Sequence, residues 1–187
     1  MADRLPNRQS FRLENHDYRS AGAYFLTICT KDRTPLLATV TDGLLNPTPA
    51  GDHVRRVWED LPNHYRHVRL DAFVVMPNHV HGVLWLRSMD GVTDIDPRAG
   101  LKPAPTKRHG LPEIIRGFKT FSSRRINQAR GASGTPVWQR NYHEHVIRED
   151  ESLNRIRDYV RLNPANWATD PDNPAAPRHE PNTPWEP

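Results

Sequence analysis

The chain has 187 residues, a formal net charge of +4 and a single cysteine. This length fits one domain with a sound hydrophobic core. One cysteine excludes a disulfide framework, which is typical of a reducing cytoplasm. Since no recognisable signal peptide or membrane-length apolar stretch is present, we expect a cytoplasmic protein that does not enter a membrane. The mild basicity suits a nucleic-acid partner but is too weak to identify one.

The predicted elements follow the order β-α-β-β-α-β, with one further helix at the end. Alternating and branched residues predict a strand at 23–30, and apolar residues at i, i+3, i+4 and i+7 after Pro49 predict a helix. Strands at 67–76 and 79–86, a helix at 111–127, a strand near 137–147 and a helix at 150–163 follow. This order is that of a ferredoxin-like split unit. It predicts an α+β fold, with one domain over residues 1–167.

Two proline-rich segments lie outside these elements. Residues 88–110 form a basic connection within the domain, containing Lys107 and Arg108. Residues 168–187 hold six prolines among polar residues. Such a composition buries little apolar surface, so we expect a disordered or draped tail.

Two histidines interrupt a run that otherwise looks like a buried strand. His79 and His81 lie two positions apart within the apolar residues 73–86. Side chains at i and i+2 of a strand share a face, and unsatisfied polar rings are costly among apolar neighbours. A divalent metal would satisfy both. Chance alone gives about half of one such pair in this composition, and a second pair brackets Glu144, so satisfied core histidines stay an alternative.

The predicted helix at 150–163 offers two polar groups on one edge. Tyr159 and Asn163 are four residues apart and are therefore neighbours on the helix surface. Together they present a hydroxyl and an amide oxygen to one point in space. The alternative for an isolated helix is a half-buried aromatic and a C-terminal cap before Pro164.

These pieces together resemble a known family. The string Met-Pro-Asn-His-Val-His-Gly-Val at 76–83 resembles the His-hydrophobic-His signature of the HUH single-strand endonucleases. The runs at 137–148 and 158–164 are similar to those of single-tyrosine transposases, and within them of the REP-associated tyrosine transposases of bacteria. The resemblance covers roughly residues 20–167, with the motifs in the expected order. Members share the ferredoxin-like fold, with the tyrosine on the added helix.

The resemblance implies a metal-dependent DNA transesterase. It makes His79, His81 and Asn163 the ligands of Mg²⁺ or Mn²⁺, and Tyr159 the nucleophile that forms a 5′-phosphotyrosine link with single-stranded or hairpin DNA. Oxygen-preferring Mg²⁺ suits two imidazoles less well than Mn²⁺ does. Tyr142 ranks below Tyr159 because the residue four positions after it is a valine.

The basic residues near the second predicted helix are expected to contact DNA. A cationic side of the helix at 111–127, with the preceding connection, would neutralise backbone phosphates of REP-like repeats. The expected contacts are Arg116, Lys119, Arg124, Arg125, Lys107 and Arg108. Two other functions stay open: a metal-dependent phosphodiesterase that uses water, and a hairpin-binding protein without turnover. We expect a bacterial cytoplasmic protein that is associated with the nucleoid. Both a monomer and a homodimer are compatible with the sequence.

Overall fold

The computed structural model describes residues 16–88 and 109–176, which form one mixed α+β domain. The strands of its main sheet are Gly22–Cys29 (β1), Val68–Val75 (β4), His79–Leu86 (β5) and His143–Ile147 (β6). They are antiparallel and lie in the order β4-β5-β1-β6. Ala38–Thr41 (β2) and Leu44–Pro47 (β3) form a separate two-stranded sheet.

Within residues 16–88 and 109–176, four α-helices pack around the main sheet. They are Pro49–Glu59 (α1), the single turn Leu61–His64 (α2), Leu111–Ala129 (α3) and Asp150–Leu162 (α4). The Thr48 hydroxyl caps α1 by accepting from the backbone of Gly51 at 3.2 Å. The Glu113 carboxylate accepts from the backbone of Gly110 at 2.8 Å at the start of α3. Short 3-10 turns occur at Lys31–Arg33 and Trp167–Thr169.

Both faces of the two central strands, β5 and β1, are covered. On one face, side chains such as Leu26 and Leu84 belong to the core that includes residues of α1 and α3. On the other face, Phe25 and Val83 pack with apolar side chains of α4, including Ile156. Because neither face meets water, both strands are nearly continuous apolar runs. This is why the two histidines of β5 stand out in the sequence.

The position between His81 and Val83 is a glycine because there is no room for a side chain. A Cβ at this position would lie 2.6 Å from the ring of Trp58 and 3.1 Å from the ring of Phe73. Those two rings stack with centroids 4.6 Å apart. The missing side chain therefore lets α1 pack closely against β5 on the face opposite His79 and His81.

The predicted α+β class and the order of its main elements are confirmed. The last strand begins only at His143, whereas the prediction began it near 137. The segment before it is held by an isolated bridge between Trp138 and Thr30. The β2–β3 hairpin was not predicted. Its two turn residues, Asp42 and Gly43, both have positive φ angles, as a type I′ turn requires.

Several sequence-based expectations concern residues that the structure does not describe. Most of the basic connection, 89–108, including Lys107 and Arg108, lies outside the described residues, as do residues 177–187 of the expected tail. Residues 168–176 of that tail are described, and Asp170 among them is buried. In the described part of the chain, no helix has the length and apolarity needed to span a bilayer.

Candidate active site

His79 and His81 converge on one point beneath α4. Both side chains are buried, at 0% and 2% exposure. Their Nε2 atoms lie 3.0 Å apart. Two ligand atoms bound at right angles to one ion, each at about 2.1 Å, are separated by about 3 Å. The strand period therefore produces a pair of imidazoles with the spacing of neighbouring metal ligands.

The far nitrogen of each ring is held by a hydrogen bond. Asn78 donates through Nδ2 to the carbonyls of Arg33 and Asp172, so its Oδ1 is the atom that faces His79 Nδ1 at 2.8 Å. His79 Nδ1 must then carry the proton, which leaves a lone pair on Nε2. His81 Nδ1 lies 2.9 Å from the Thr27 hydroxyl, which can accept a hydrogen bond from the protonated Nδ1. Such outer contacts orient metal-ligating histidines in proteins.

The helix α4 brings Tyr159 and Asn163 to the same place. The Tyr159 hydroxyl lies 3.3 Å from His81 Nε2. Asn163 follows the last residue of α4 and is 2% exposed. Its Oδ1 is buried and has no hydrogen-bond partner among the described residues. A buried amide oxygen without a partner is costly, so the site is suited to a cation that this oxygen could bind.

Asp170 is a site residue that the sequence analysis missed. It is 4% exposed, and its Oδ2 accepts a hydrogen bond from Asn163 Nδ2 at 2.9 Å. One oxygen of this carboxylate lies within 4.8 Å of a nitrogen of each of His79 and His81. Asp170 comes after Pro164 and a 3-10 turn, within the segment predicted as a tail, where no periodic pattern could single it out. The donor set of two imidazoles, an amide oxygen and a carboxylate fits a divalent ion.

Burial controls the protonation of the site. It lowers the pKa of His79 to about 3 and the pKa of His81 well below its usual value, so both rings are neutral and able to bind metal. Burial also raises the pKa of Tyr159. The charges of Asp170 and Asp172 raise that pKa further, whereas a hydrogen bond with Asn163 lowers it. Without a cation, the tyrosine hydroxyl stays protonated.

Comparison of the sequence with known proteins identifies two relatives in one bacterium. A protein of Haemophilus influenzae described only as uncharacterised is 35% identical over 170 residues, which span 89% of this chain and 93% of that protein. Another protein of that organism, provisionally named a REP-associated tyrosine transposase, is 27% identical over 148 residues, 79% of this chain and 73% of its own. No family model matches the chain.

A solved structure also shares the fold. The structure of a REP-associated tyrosine transposase bound to a REP hairpin aligns with a TM-score of 0.53 and 21% identity, covering 83% of this chain and 74% of that one. The chain is therefore similar in sequence and in fold to REP-associated tyrosine transposases. What this structure and the chain share is the fold.

In this chain, the helix bearing Tyr159 is fixed to the sheet by an ion pair. Arg157 donates through Nε and Nη2 to the two oxygens of Asp71, at 2.9 and 2.7 Å. Asp71 lies where the β4–β5 register shifts, and it also accepts from the Trp85 indole at 3.1 Å. These contacts lower the pKa of Asp71 to about 2, with the Arg157 hydrogen bond as the main cause.

The other candidate site residues lie away from the histidine pair. Tyr142 packs against the core on the opposite face of the sheet, with α1 and α3. His143 and His81 both pair with Thr27 and so share its face, but they lie on strands to either side of β1. The pair around Glu144 therefore belongs to strand β6, as expected, and not to the cluster of His79, His81 and Asp170.

The predicted DNA contacts on α3 have different surroundings. Arg116, Arg124 and Arg125 are exposed. Lys119 is half-buried and donates to the carbonyls of Gln139 and Arg140. Burial lowers the pKa of Lys119 to about 8. Arg116 and Lys119 line a groove of about 760 Å³ between α3 and the segment that precedes β6.

Proposed function

We propose that this chain is a single-strand DNA endonuclease and strand transferase that cleaves hairpin-associated DNA through a 5′-phosphotyrosine intermediate. The observation that carries the proposal is the contact of the Tyr159 hydroxyl with His81 Nε2 at 3.3 Å, inside a buried cluster that also holds His79 and Asn163. The named relative and the hairpin-bound structural neighbour support DNA hairpins with REP-like sequence as the substrate class.

The chemistry needs one nucleophile and no separate energy source. Tyr159 Oη forms a bond to phosphorus, and the bond from phosphorus to the 3′ oxygen breaks. The tyrosine proton leaves to water, and the departing 3′ oxygen takes up a proton to become a hydroxyl. One phosphodiester is exchanged for another, so the link retains the energy that later strand transfer needs.

The protein side chains position the reacting groups. His79, His81 and Asn163 would hold Mg²⁺ or Mn²⁺, which supplies positive charge that polarises the phosphate and favours the tyrosinate. Burial disfavours the charged form of Tyr159. The Asn163 contact and the ring of Phe25, whose centroid lies 6.1 Å from that of Tyr159, keep the phenol aimed at the site.

The basic residues supply the contact with DNA. Arg116, Arg124 and Arg125 are exposed along α3 and would neutralise backbone phosphates without reading bases. Lys119 is proposed to act from the wall of the groove beside Arg116. Lys107 and Arg108 are proposed to extend this surface.

The experiment is an adduct assay. Hairpin DNA with single-stranded flanks is labelled at its 3′ end, so that the label stays on the fragment that a 5′-phosphotyrosine retains. It is incubated with Mn²⁺ and protein and then resolved on a denaturing gel. We expect a covalent species with the wild type and with Tyr142→Phe, and none with Tyr159→Phe, which keeps the ring and deletes one oxygen.

The other outcomes identify the two alternative functions. Cleaved DNA without an adduct in the wild type means that water is the nucleophile and that the chain is a metal-dependent phosphodiesterase. Bound but uncut DNA means a hairpin-binding protein without turnover. An adduct that survives Tyr159→Phe and disappears in Tyr142→Phe places the nucleophile on the opposite face of the sheet.

A further inference from the structure

The carboxylate of Asp170 is buried and, among the described residues, is influenced by the charge of Arg33 without forming an ion pair with it. It is 4% exposed, and no ion pair involves it among the residues that the structure describes. The neighbouring Asp172, by contrast, is paired with Arg33. Burying an unpaired carboxylate is costly unless a cation or a set of hydrogen bonds compensates. Asp170 accepts hydrogen bonds from Asn163 Nδ2 and from the backbone of Asp172, and each oxygen keeps a further lone pair.

A second observation points to the same place. The amide of Asn163 is oriented by Asp170, because its Nδ2 donates to Oδ2 of that carboxylate. The opposite end of the amide, Oδ1, is buried and without a partner among residues 16–88 and 109–176. The carboxylate that orients this amide has an oxygen within 4.8 Å of a ligand nitrogen of each of the two imidazoles. A buried carboxylate that forms no ion pair with the described residues therefore lies near two neutral imidazole nitrogens and holds an amide whose oxygen has no partner among those residues.

We propose that Asp170 is a ligand of the divalent ion, in addition to His79, His81 and Asn163, and that it orients the Asn163 amide toward that ion. This inference rests on the proposed function, which supplies the ion. Two imidazoles and an amide are all neutral, and they would leave both positive charges of a buried ion uncompensated. Asp170 adds one negative charge and a hard oxygen ligand of the kind that Mg²⁺ and Mn²⁺ prefer.

The position of Asp170 is fixed by the strand that bears the histidines. Asn78 immediately precedes His79 and donates to the backbone carbonyl of Asp172 at 2.7 Å. The same side chain holds His79 Nδ1. A single residue thus places one imidazole and the segment of Asp170 relative to each other, as a preorganised ligand set requires.

The test is Mn²⁺ binding to the metal-free full-length chain, measured by calorimetry and by the loss of the electron paramagnetic resonance signal of free Mn²⁺. Asp170→Asn keeps the size of the side chain and an acceptor for Asn163, but removes the charge. We expect it to weaken Mn²⁺ binding by about 10- to 100-fold. Asp172→Asn is the matched control, since it removes a charge two residues away that Arg33 already pairs. It should stay within about threefold of the wild type.

Equal binding by Asp170→Asn and the wild type would overturn the inference, as would equal losses in the two variants, which would mean a general effect of charge. Absence of Mn²⁺ binding by the wild type would overturn it as well. If Asp170→Asn does not fold, Mn²⁺ binding is measured with Asp170→Ser instead, and the same loss is expected. Serine also lacks the charge, is smaller and still offers an acceptor to Asn163. The adduct assay on the wild type is read separately: Mn²⁺ binding that depends on Asp170 without an adduct contradicts the proposed function and leaves the ligand set intact.

Discussion

At the residue scale, neighbouring basic side chains of α3 differ in whether their charge is already bound by groups of the protein. Arg116 is exposed, whereas the ammonium of Lys119 is bound by the carbonyls of Gln139 and Arg140. Those carbonyls belong to the segment that connects α3 to β6, which is held against the end of β1 because Gln139 donates its backbone N–H to the carbonyl of Cys29 at 2.9 Å. A lysine in this position stabilises the protein, and its charge is less available to DNA than sequence spacing suggests.

This difference gives a prediction for two alanine variants. Arg116→Ala should weaken binding to all single-stranded DNAs alike and lower the slope of log affinity against log salt by about one, with no change in unfolding. Lys119→Ala should lower the free energy of unfolding by about 1–2 kcal/mol, because two carbonyls lose their donor. Salt-dependent binding titrations and denaturant unfolding measure the two effects. Selective loss of one hairpin sequence in Arg116→Ala would mean that the residue reads bases.

At the element scale, the placement of α4 depends on a contact with an irregular part of β4. The register shift between Leu70 and Phe73 exposes the Asp71 carboxylate to Arg157, two residues before Tyr159 on α4. Apolar contacts of Ile156 and Val160 seat the helix on the sheet but fix neither its rotation nor its height exactly. The two-point ion pair supplies this geometric restraint.

Asp71→Asn should therefore destabilise the fold at neutral pH and not in acid. The pKa of Asp71 is lowered from 3.8 to about 2 in the folded protein. Because its pKa is lower in the folded state than in the unfolded state, the ionised carboxylate stabilises the fold above about pH 4. This stabilisation is lost as the pH falls from about 4 to about 2. We expect a loss of at most about 2 kcal/mol at pH 7, which shrinks toward pH 2 in denaturant titrations.

The matched control for this ion pair is on the same helix. Asp158 pairs with Arg161 at 2.8 Å, but both side chains are more than half exposed. Exposed pairs contribute little, so Asp158→Asn should have nearly wild-type unfolding at every pH. Equal losses in the two variants would show that the acidic charge of α4 and its surroundings matters, and not the contact between Arg157 and Asp71.

At the scale of the whole molecule, the sequence predicts what local periodicity determines. The i, i+2 spacing placed His79 and His81 on one face, and the i, i+4 spacing placed Tyr159 beside Asn163; the structure brings these four side chains together. Asp170 could not be found in this way. Its position depends on a 3-10 turn and on contacts between chain segments about ninety residues apart.

The same distinction explains the elements that were missed. The strand predicted near 137–147 has suitable residue types, but the backbone N–H of Lys31 pairs with the carbonyl of Val137 in an irregular crossing before β6 begins at His143. The β2–β3 hairpin carries a turn signal at Asp42 and Gly43, yet its strands are four residues each and largely exposed. Exposed short strands lack the apolar alternation on which strand prediction depends.

The last prediction concerns how many chains make one site. Tyr159 contacts His81 of its own chain at 3.3 Å, and α4 packs against the sheet of the same chain through a buried apolar face. A site completed within one chain should work without exchange of the tyrosine helix between two copies. A mixture of inactive His79→Ala and Tyr159→Phe proteins should therefore form no covalent adduct with hairpin DNA, and the adduct yield of the wild type should be proportional to protein concentration.

If helices exchanged, each mixed pair would contain one composite site with an intact histidine pair and an intact tyrosine. Recovery of adduct in the mixture, measured on the same denaturing gel, would therefore mean that the working unit is a homodimer with swapped helices.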